Sequence, residues 1–356
     1  MSSTATDVPA PSRRPNERGD EVPVVSAPYE INADDVFVNL AAVFGVPLHL
    51  KCEGFNPAGS IKLKAALEMV RAAERDGVLT PGSVIVESSS GNLGIALSMI
   101  AAHRGYGFVC VTDSRCNRAS RRLMESFGAE VRVVTQADES RGLLGARLDL
   151  VQRMCEEDAR YVWLNQYANP NNWRAHYRST APAIAAEFPE LDVLFVGAGT
   201  GGTLMGCARY FRERSRPVTI VAVDSVGSVT FGGPALPRMI PGLGAGVRPP
   251  LLDASLVDDV VMVPERDTVD SCHAMARQGF LFGGSTGTVV SGALRWLAAR
   301  GDASALTAVA LAPDQGERYL DSVYDPAWVE RHFGSPQSWG EPVEQPVRPQ
   351  ELARDS

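Results

Sequence analysis

The chain has 356 residues, with 34 basic against 42 acidic side chains, a formal net charge of −8, and 45% hydrophobic and 21% charged residues. That length is too great for one small core and suits two ordinary domains or one large α/β enzyme, and the composition excludes a wholly disordered chain. The acidic balance argues against nucleic acid or an anionic membrane as partner, while leaving room for a local basic pocket that takes an anionic small molecule.

Residues 1–28 are rich in Pro, Ser, Arg and acidic groups and are expected to form a disordered arm. The stretch 334–356, with Pro336, Pro342, Pro346 and Pro349, is expected to be a flexible tail. Between them short β-rich runs alternate with helical patterns. Strands are expected at His49–Glu53, Ser83–Ser88, Phe108–Asp113, Glu130–Thr135, Tyr161–Gln166, Val193–Gly197, Thr219–Asp224, Val257–Val263 and Ala308–Pro313. Helices are expected at Ser60–Arg75, Gly94–Arg104, Arg118–Phe127 and Leu143–Glu157. Runs such as VLFVG and TIVAV suit strands covered on both faces. This alternation predicts parallel sheets with crossover helices, and nine strands favour two α/β units over one sheet. Ligands then bind at the carboxyl ends of the strands.

Six cysteines form no CxxC pair and sit in apolar runs such as Val109-Cys110-Val111, which reads as reduced core thiols. No His/Cys cluster has zinc spacing, so no metal is expected. No run approaches the ~18 apolar residues of a membrane span, and the N-terminal segment has no apolar signal core, so a cytoplasmic location is expected.

Four loops carry residues suited to chemistry. In Asn56-Pro57-Ala58-Gly59-Ser60-Ile61-Lys62, Ser60 is a candidate helix N-cap, and Lys62 falls in the first helical turn, where the dipole disfavours a charged ammonium and favours the neutral amine a Schiff base needs. A solvated surface lysine is the plain alternative. In Glu87-Ser88-Ser89-Ser90-Gly91-Asn92-Leu93-Gly94, small residues leave backbone amides free to receive a carboxylate or phosphate, or simply to cap a helix. Gly197-Ala198-Gly199-Thr200-Gly201-Gly202-Thr203 is an anion-binding loop by its glycines. It also fits GxGxxG, with Asp224 ending the next strand, which raises a dinucleotide-binding dehydrogenase as a rival. In Gly283-Gly284-Ser285-Thr286-Gly287, Ser285 could cap a helix or face a cleft. Pro313-Asp314-Gln315-Gly316-Glu317-Arg318-Tyr319 follows the last strand.

In this order the loops resemble the cysteine synthase family, the β-replacement branch of the fold-type II pyridoxal-phosphate enzymes, over about Val36 to Trp328. The resemblance implies a tryptophan synthase β-like α/β fold: two three-layer α/β/α domains with the active site between them. The smaller domain would span 67–169 and the larger 29–66 plus 170–333. It implies pyridoxal 5'-phosphate as cofactor, small-molecule amino-acid substrates and a homodimer. Lys62 matches the lysine that holds the cofactor and then removes the α-proton. Asn92 matches the partner of the ring hydroxyl, Gly199, Thr200, Gly201, Gly202 and Thr203 the phosphate cradle, and Ser285 the partner of the pyridine nitrogen. Ser89, Ser90 and Gly91 match the loop that grips the substrate carboxylate, assisted by Gln166. The reaction implied passes through an aminoacrylate with ping-pong kinetics.

Within the family, Leu93 stands where plain sulfhydrylases usually carry Thr, removing a hydroxyl near the expected acceptor site. The stretches NQYANPNNWRAHY, VAVDSVGSVTFGG, IPGLGAG and ERYLDSVY resemble the branch that joins O-phospho-L-serine to L-glutamate. That reaction gives N-(1-amino-1-carboxy-2-ethyl)-glutamic acid, a precursor of 2,3-diaminopropionate in siderophore and peptide-antibiotic pathways. The segment from Asp224-Ser225 through Gly233 is expected to be a flexible cover over the pocket, and Arg238 and Arg118 are candidates for binding anionic substrate groups. A sulfhydrylase making cysteine and, more remotely, an NAD-dependent dehydrogenase are the alternatives.

Overall fold

The computed structural model describes residues 25–31, 33, 35–138, 141–301 and 303–334. In chain order the elements are β1 (Phe37–Asn39), α1 (Ala41–Phe44), β2 (Leu48–Cys52), α2 (Lys62–Arg75), β3 (Val84–Ser88), α3 (Asn92–Arg104), β4 (Gly107–Asp113), α4 (Arg118–Ser126) and β5 (Glu130–Val134). Next come α5 (Gly142–Glu157), β6 (Tyr161–Trp163), α6 (Pro170–Arg178), α7 (Thr180–Glu187), β7 (Val193–Gly197), α8 (Gly202–Arg212) and β8 (Thr219–Ser225). The last are β9 (Asp259–Val263), α9 (Glu265–Arg277), α10 (Gly284–Ala298), β10 (Ala308–Ala312) and α11 (Pro326–Phe333).

The strands form two sheets, one of six in the order β1-β2-β10-β7-β8-β9 and one of four in the order β5-β4-β3-β6. Every pairing is parallel except β1 with β2. Side chains on a strand alternate between faces, and both faces are filled here. In β7, Val193 and Phe195 pack toward α10, while Leu194 and Val196 pack toward α7 and α8. In β3, Ile85 joins the cluster with α2 and α3, and Val86 the cluster with α5. Each sheet is thus packed by helices on both faces, as the alternating pattern predicts. Helix α10 is buried nearly all round because it lies across β7, β8, β9 and β10.

Several expectations shift in detail. Strand β1 was not foreseen; three residues on a sheet edge carry too short a pattern to read. The expected strand at Tyr161–Gln166 stops at Trp163, and Asn165 turns the chain out of it with φ of 54°. The expected boundary between residues 66 and 67 falls inside α2, a helix that packs on both α3 and α6. The arm lies outside the described residues up to position 24. Its last residues are anchored: Ala27 is buried, Pro28–Glu30 form a 3-10 turn, and the Tyr29 ring stands edge-on to His103. The tail beyond 334 lies outside the described residues.

Candidate active site

Parallel neighbours deliver their following loops to one end of the sheet. Strands β2, β10 and β7 are adjacent, so the segment leading to Lys62, the Pro313-Asp314 turn and the Gly199–Thr203 loop converge. The Ile61 amide donates to the Pro313 carbonyl (2.7 Å), and Ser60 bridges Asp314, which fixes where α2 begins. A narrow cavity of about 30 Å³ opens there, lined by Lys62, Asn92, the Gly199–Thr203 loop, Ser285, Gly242 and Leu243.

Lys62 is the first residue of α2 and is only partly exposed. Burial pulls its ammonium down to about 8, with the Asp314 carboxylate opposing. The sequence pointed to the helix dipole; desolvation is the principal cause here. Ser60 does not cap α2: Ile61 holds the N-cap position without a side-chain bond, and Ser60 Oγ is buried without a partner. The chain has three lysines in all, Lys51, Lys62 and Lys64. Lys51 and Lys64 are both ion-paired to Glu53, at 3.3 and 2.7 Å. Lys62 alone of the three lines the cavity.

The Gly199–Thr203 loop leads into α8, whose N-cap is Gly201 with φ of 86°. A Cβ on Gly202 would stand 1.9 Å from Asn172 Oδ1, so glycine is required there for α8 to approach α6. Backbone amides at a helix start, together with the Thr200 and Thr203 hydroxyls, make a donor set that fits a phosphate. Asn172, which the sequence reading missed, spans Thr200 Oγ1 (3.1 Å) and the Gln166 carbonyl (2.6 Å) with its Nδ2.

Across the cavity, Gly91 precedes α3 with φ of 148°, and Asn92 begins the helix two residues earlier than expected. Ser89 is buried, and its Oγ accepts from the Gly91 and Gly94 amides (3.1 and 2.9 Å). Ser90 is partly exposed. Gln166 is buried and donates to the Ser88 carbonyl (2.6 Å), tying the end of β3 to the cradle through Asn172. Asn92 Oδ1 accepts from the Arg318 guanidinium, which also donates to the Ala58 carbonyl, while Asn117 Nδ2 donates to the Arg318 carbonyl (2.7 Å). Arg318 therefore links the Lys62 segment, α3 and the loop before α4.

Ser285 lies in the first turn of α10, buried and lining the cavity. Behind it Asp314 accepts from Tyr319 Oη (2.6 Å) and from the Thr286 amide and hydroxyl (3.1 and 3.0 Å). Burial pushes the Asp314 carboxyl up. Its position directly after the last strand was the available sequence signal.

Other expected roles change. Leu93 packs in the core of α2, α3 and β3, so its missing hydroxyl is not at an acceptor site. The 225–233 segment is tied down: the Ala245 amide donates to Ser228 Oγ (3.0 Å), the Ser228 and Thr230 hydroxyls lie 2.9 Å apart, and the Val229 amide donates to the Ala245 carbonyl (3.0 Å). Arg238 is part-buried and donates to the Gly227 carbonyl; Arg118 is exposed at the start of α4. Asp224, the residue a dinucleotide ribose would need, is fully buried, with Oδ1 accepting from the Ser225 amide (2.8 Å) and Oδ2 unpartnered. The six cysteines are free, five of them buried, and burial pushes the Cys52 thiol up to about 12.

One cation was missed altogether. Arg147 on α5 is buried, 3.3 Å from the Asp113 carboxylate, with Nε and Nη1 lacking hydrogen-bond partners. It lies near the part-exposed Tyr167, whose phenol is pushed up by desolvation. Asp113 closes β4, and Arg115 pairs with it at 3.0 Å, so this charge cluster sits at the carboxyl end of the smaller sheet.

Residues 37–314 match the family of pyridoxal-phosphate dependent enzymes. The chain is 40% identical over 283 residues to N-(2-amino-2-carboxyethyl)-L-glutamate synthase of Ralstonia nicotianae, covering 79% of this chain and 83% of that one. It is 39% identical over 300 residues to the synthase of the same name from Cupriavidus metallidurans, covering 83% and 88%. Among solved structures it resembles O-ureido-L-serine synthase, with a TM-score of 0.78 at 32% identity over 89% of this chain and 99% of that one. It also resembles a hydrogen sulfide-producing enzyme from Fusobacterium nucleatum, with a TM-score of 0.76 at 30% identity over 83% and 100%. With a lysine of depressed pKa facing a glycine-threonine anion cradle across one cavity, and with this match over most of its length, the chain belongs to the pyridoxal-phosphate dependent enzymes.

Proposed function

We propose that the chain is a β-replacement synthase that converts O-phospho-L-serine and L-glutamate into N-(1-amino-1-carboxy-2-ethyl)-glutamic acid and phosphate. The product in the two relatives' names is the same skeleton numbered from the other carbon. The observation that carries the product is this likeness at 39–40% identity over about four-fifths of the chain; O-phospho-L-serine as the donor rests on the resemblance of the loop stretches. In this reading Lys62, Asn92, Gly199, Thr200, Gly201, Gly202, Thr203 and Ser285 hold the cofactor, which supplies an electron sink at the substrate α-carbon. Lys62 Nζ bonds the cofactor and, once displaced by substrate, takes the α-proton. An amine near 8 is partly neutral at working pH and is suited to both tasks. Ser89, Ser90 and Gly91 receive the substrate carboxylate, with Gln166 bracing the loop from Ser88. The Cβ–O bond breaks with its electron pair leaving on phosphate, the glutamate nitrogen forms the new Cβ–N bond as it loses a proton to solvent, and Lys62 returns its proton to the α-carbon.

Two anionic partners need cations. Arg147 has a buried Nη1 without a hydrogen-bond partner beside its ion pair with Asp113, which supports a phosphate site at the end of the smaller sheet. Arg238 remains the candidate for the glutamate side chain; its tie to a backbone carbonyl leaves its charge without a bonded carboxylate. Closure of the smaller α/β layer over the substrate would exclude water from the reactive intermediate. On the family resemblance, the working form is taken as a homodimer in the cytoplasm. The test is a competition read by mass spectrometry, in which the holoenzyme receives O-phospho-L-serine, L-glutamate and sulfide together. The glutamate adduct as main product supports the reading. Cysteine as main product overturns it in favour of a sulfhydrylase.

A further inference from the structure

The two hydroxyls of the cradle are held from behind by groups that fix the direction of their hydrogens. Thr203 Oγ1 lies 3.2 Å from His176 Nε2, and His176 Nδ1 lies 3.1 Å from Thr180 Oγ1. Thr180 Oγ1 accepts from Lys64 Nζ at 3.3 Å, and that ammonium is paired to Glu53 at 2.7 Å. Glu53, His176 and Thr180 are each at most 3% exposed, so bulk water does not compete for these contacts.

The chemistry of the ends permits one direction of bonding that runs the whole length of the chain of contacts. An ammonium only donates, so the Thr180 oxygen accepts from Lys64 with one lone pair, and its single hydrogen is available to His176 Nδ1, the direction the relay requires. His176 is uncharged, because burial and then the nearby Lys64 and Lys62 hold its pKa well below the ordinary value. A neutral imidazole has one donor and one acceptor. With Nδ1 accepting from Thr180, the ring proton sits on Nε2 and is donated to Thr203 Oγ1. The Thr203 hydrogen is then left for the cavity that Thr203 lines. Thr200 repeats the pattern. Asn172 Nδ2 bonds the Gln166 carbonyl, which can only accept, so the amide is oriented to donate to Thr200 Oγ1 as well.

We propose that Glu53, Lys64, Thr180 and His176 form a positioning relay that turns the Thr203 hydroxyl into an obligate donor toward the cofactor phosphate, with Asn172 doing the same for Thr200. No proton moves along it. The opposite imidazole tautomer would draw the Thr203 hydrogen back to Nε2 and turn oxygen lone pairs toward the anion. The proposal rests on Gly199–Thr203 being the phosphate cradle.

The test compares binding of pyridoxal 5'-phosphate with binding of pyridoxal, which lacks the phosphate, by absorbance titration of the apo-protein. Thr180→Val should weaken the phosphorylated ligand about tenfold, as loss of a well-placed bond to a charged group does, and leave pyridoxal within about twofold. Thr203→Val should do the same, Thr203→Ser should retain affinity, and the Thr180→Val/Thr203→Val pair should be no weaker than Thr203→Val alone. Nitrogen NMR of the wild-type apo-protein, assigned with His176→Gln, should place the ring hydrogen on Nε2. A hydrogen on Nδ1 overturns the relay whether or not any variant folds. A Thr180→Val protein that binds the phosphorylated ligand normally, or weakens both ligands equally, overturns the relay while Thr203→Val still reports the cradle. A wild type that prefers neither ligand overturns the cradle reading and the relay with it.

Discussion

Replacing Gly202 by alanine places a methyl group where Asn172 already sits. The built Cβ lies 1.9 Å from Asn172 Oδ1, 2.4 Å from its Cγ and 2.9 Å from its Nδ2. Ordinary contact needs about 3.5 Å, so the amide must retreat by about 1.5 Å. That is more than its bonds of 2.6 Å to the Gln166 carbonyl and 3.1 Å to Thr200 can stretch. Losing both costs about 0.5–1.5 kcal/mol each, and the overpacking adds about 1–3 kcal/mol. Alanine's better helix propensity returns about 1 kcal/mol. The net expectation is a loss of about 1–5 kcal/mol in urea unfolding of the apo-protein, together with weaker binding of pyridoxal 5'-phosphate. The same substitution in an Asn172→Ala background should be neutral or stabilising, because the clash is gone and the helix gain remains. Unfolding of Gly202→Ala within about 0.5 kcal/mol of the parent, or no relief from Asn172→Ala, would refute the claim that close approach of α6 and α8 demands glycine here.

Three further outcomes follow from the site. The Lys62 ammonium sits near 8 against an ordinary 10.5. The rate of cofactor capture by apo-protein should therefore rise about tenfold per pH unit up to about 8 and then level; a rise continuing to pH 10 contradicts a depressed amine. Because the folded value lies below the unfolded one, the penalty of burying that charge is full below about 8 and fades as pH rises toward the ordinary value. Burial raises the Asp224 carboxyl from 3.8 to about 6, opposed by the nearby Ser228 hydroxyl and by the Ser225 amide. The folded state thus holds the extra proton between those values, and stability falls as pH rises through that window. Asp224→Asn should remove this slope in urea titrations at pH 4.5 and 7 while leaving cofactor affinity unchanged; lost affinity would mean the carboxylate serves a ligand after all. Arg318→Met frees Asn92 Oδ1 and the Ala58 carbonyl. It should weaken cofactor binding about tenfold or more and shift the visible absorbance, with unchanged far-UV circular dichroism; an unshifted spectrum would show that Arg318 does not orient Asn92.

Much of this was legible in the sequence because it depends on local pattern. Continuous apolar runs such as VLFVG are buried on both faces, and the glycine-threonine loop must follow one of them. Small residues at strand ends mark where backbone must come close to a ligand, and Lys62, Asn92, the cradle and Ser285 all meet at one cavity. What stayed hidden depends on contacts distant along the chain. His176 reads as an ordinary helix residue until α6 packs on α8 and sets it beside Thr203. Arg147 reads as a surface charge on α5 until burial strips its solvent. Leu93 was misjudged because sequence gives the residue that departs from a pattern but not the direction of its side chain on the helix. The cover over the pocket was misjudged for a similar reason: Ser228 and Thr230 find partners in Ala245 and in each other, which glycine content alone does not reveal.

The central claim is that Lys62 is the amine that holds the cofactor, and three lysines in the whole chain make it unusually direct to test. Holoenzyme reduced with borohydride and digested should carry the cofactor mass on the peptide with Lys62. Lys62→Ala should be colourless and take no label, while Lys51 and Lys64 stay in their ion pairs with Glu53. Label on Lys51 or Lys64 of the wild type, or label persisting in Lys62→Ala, would contradict the account.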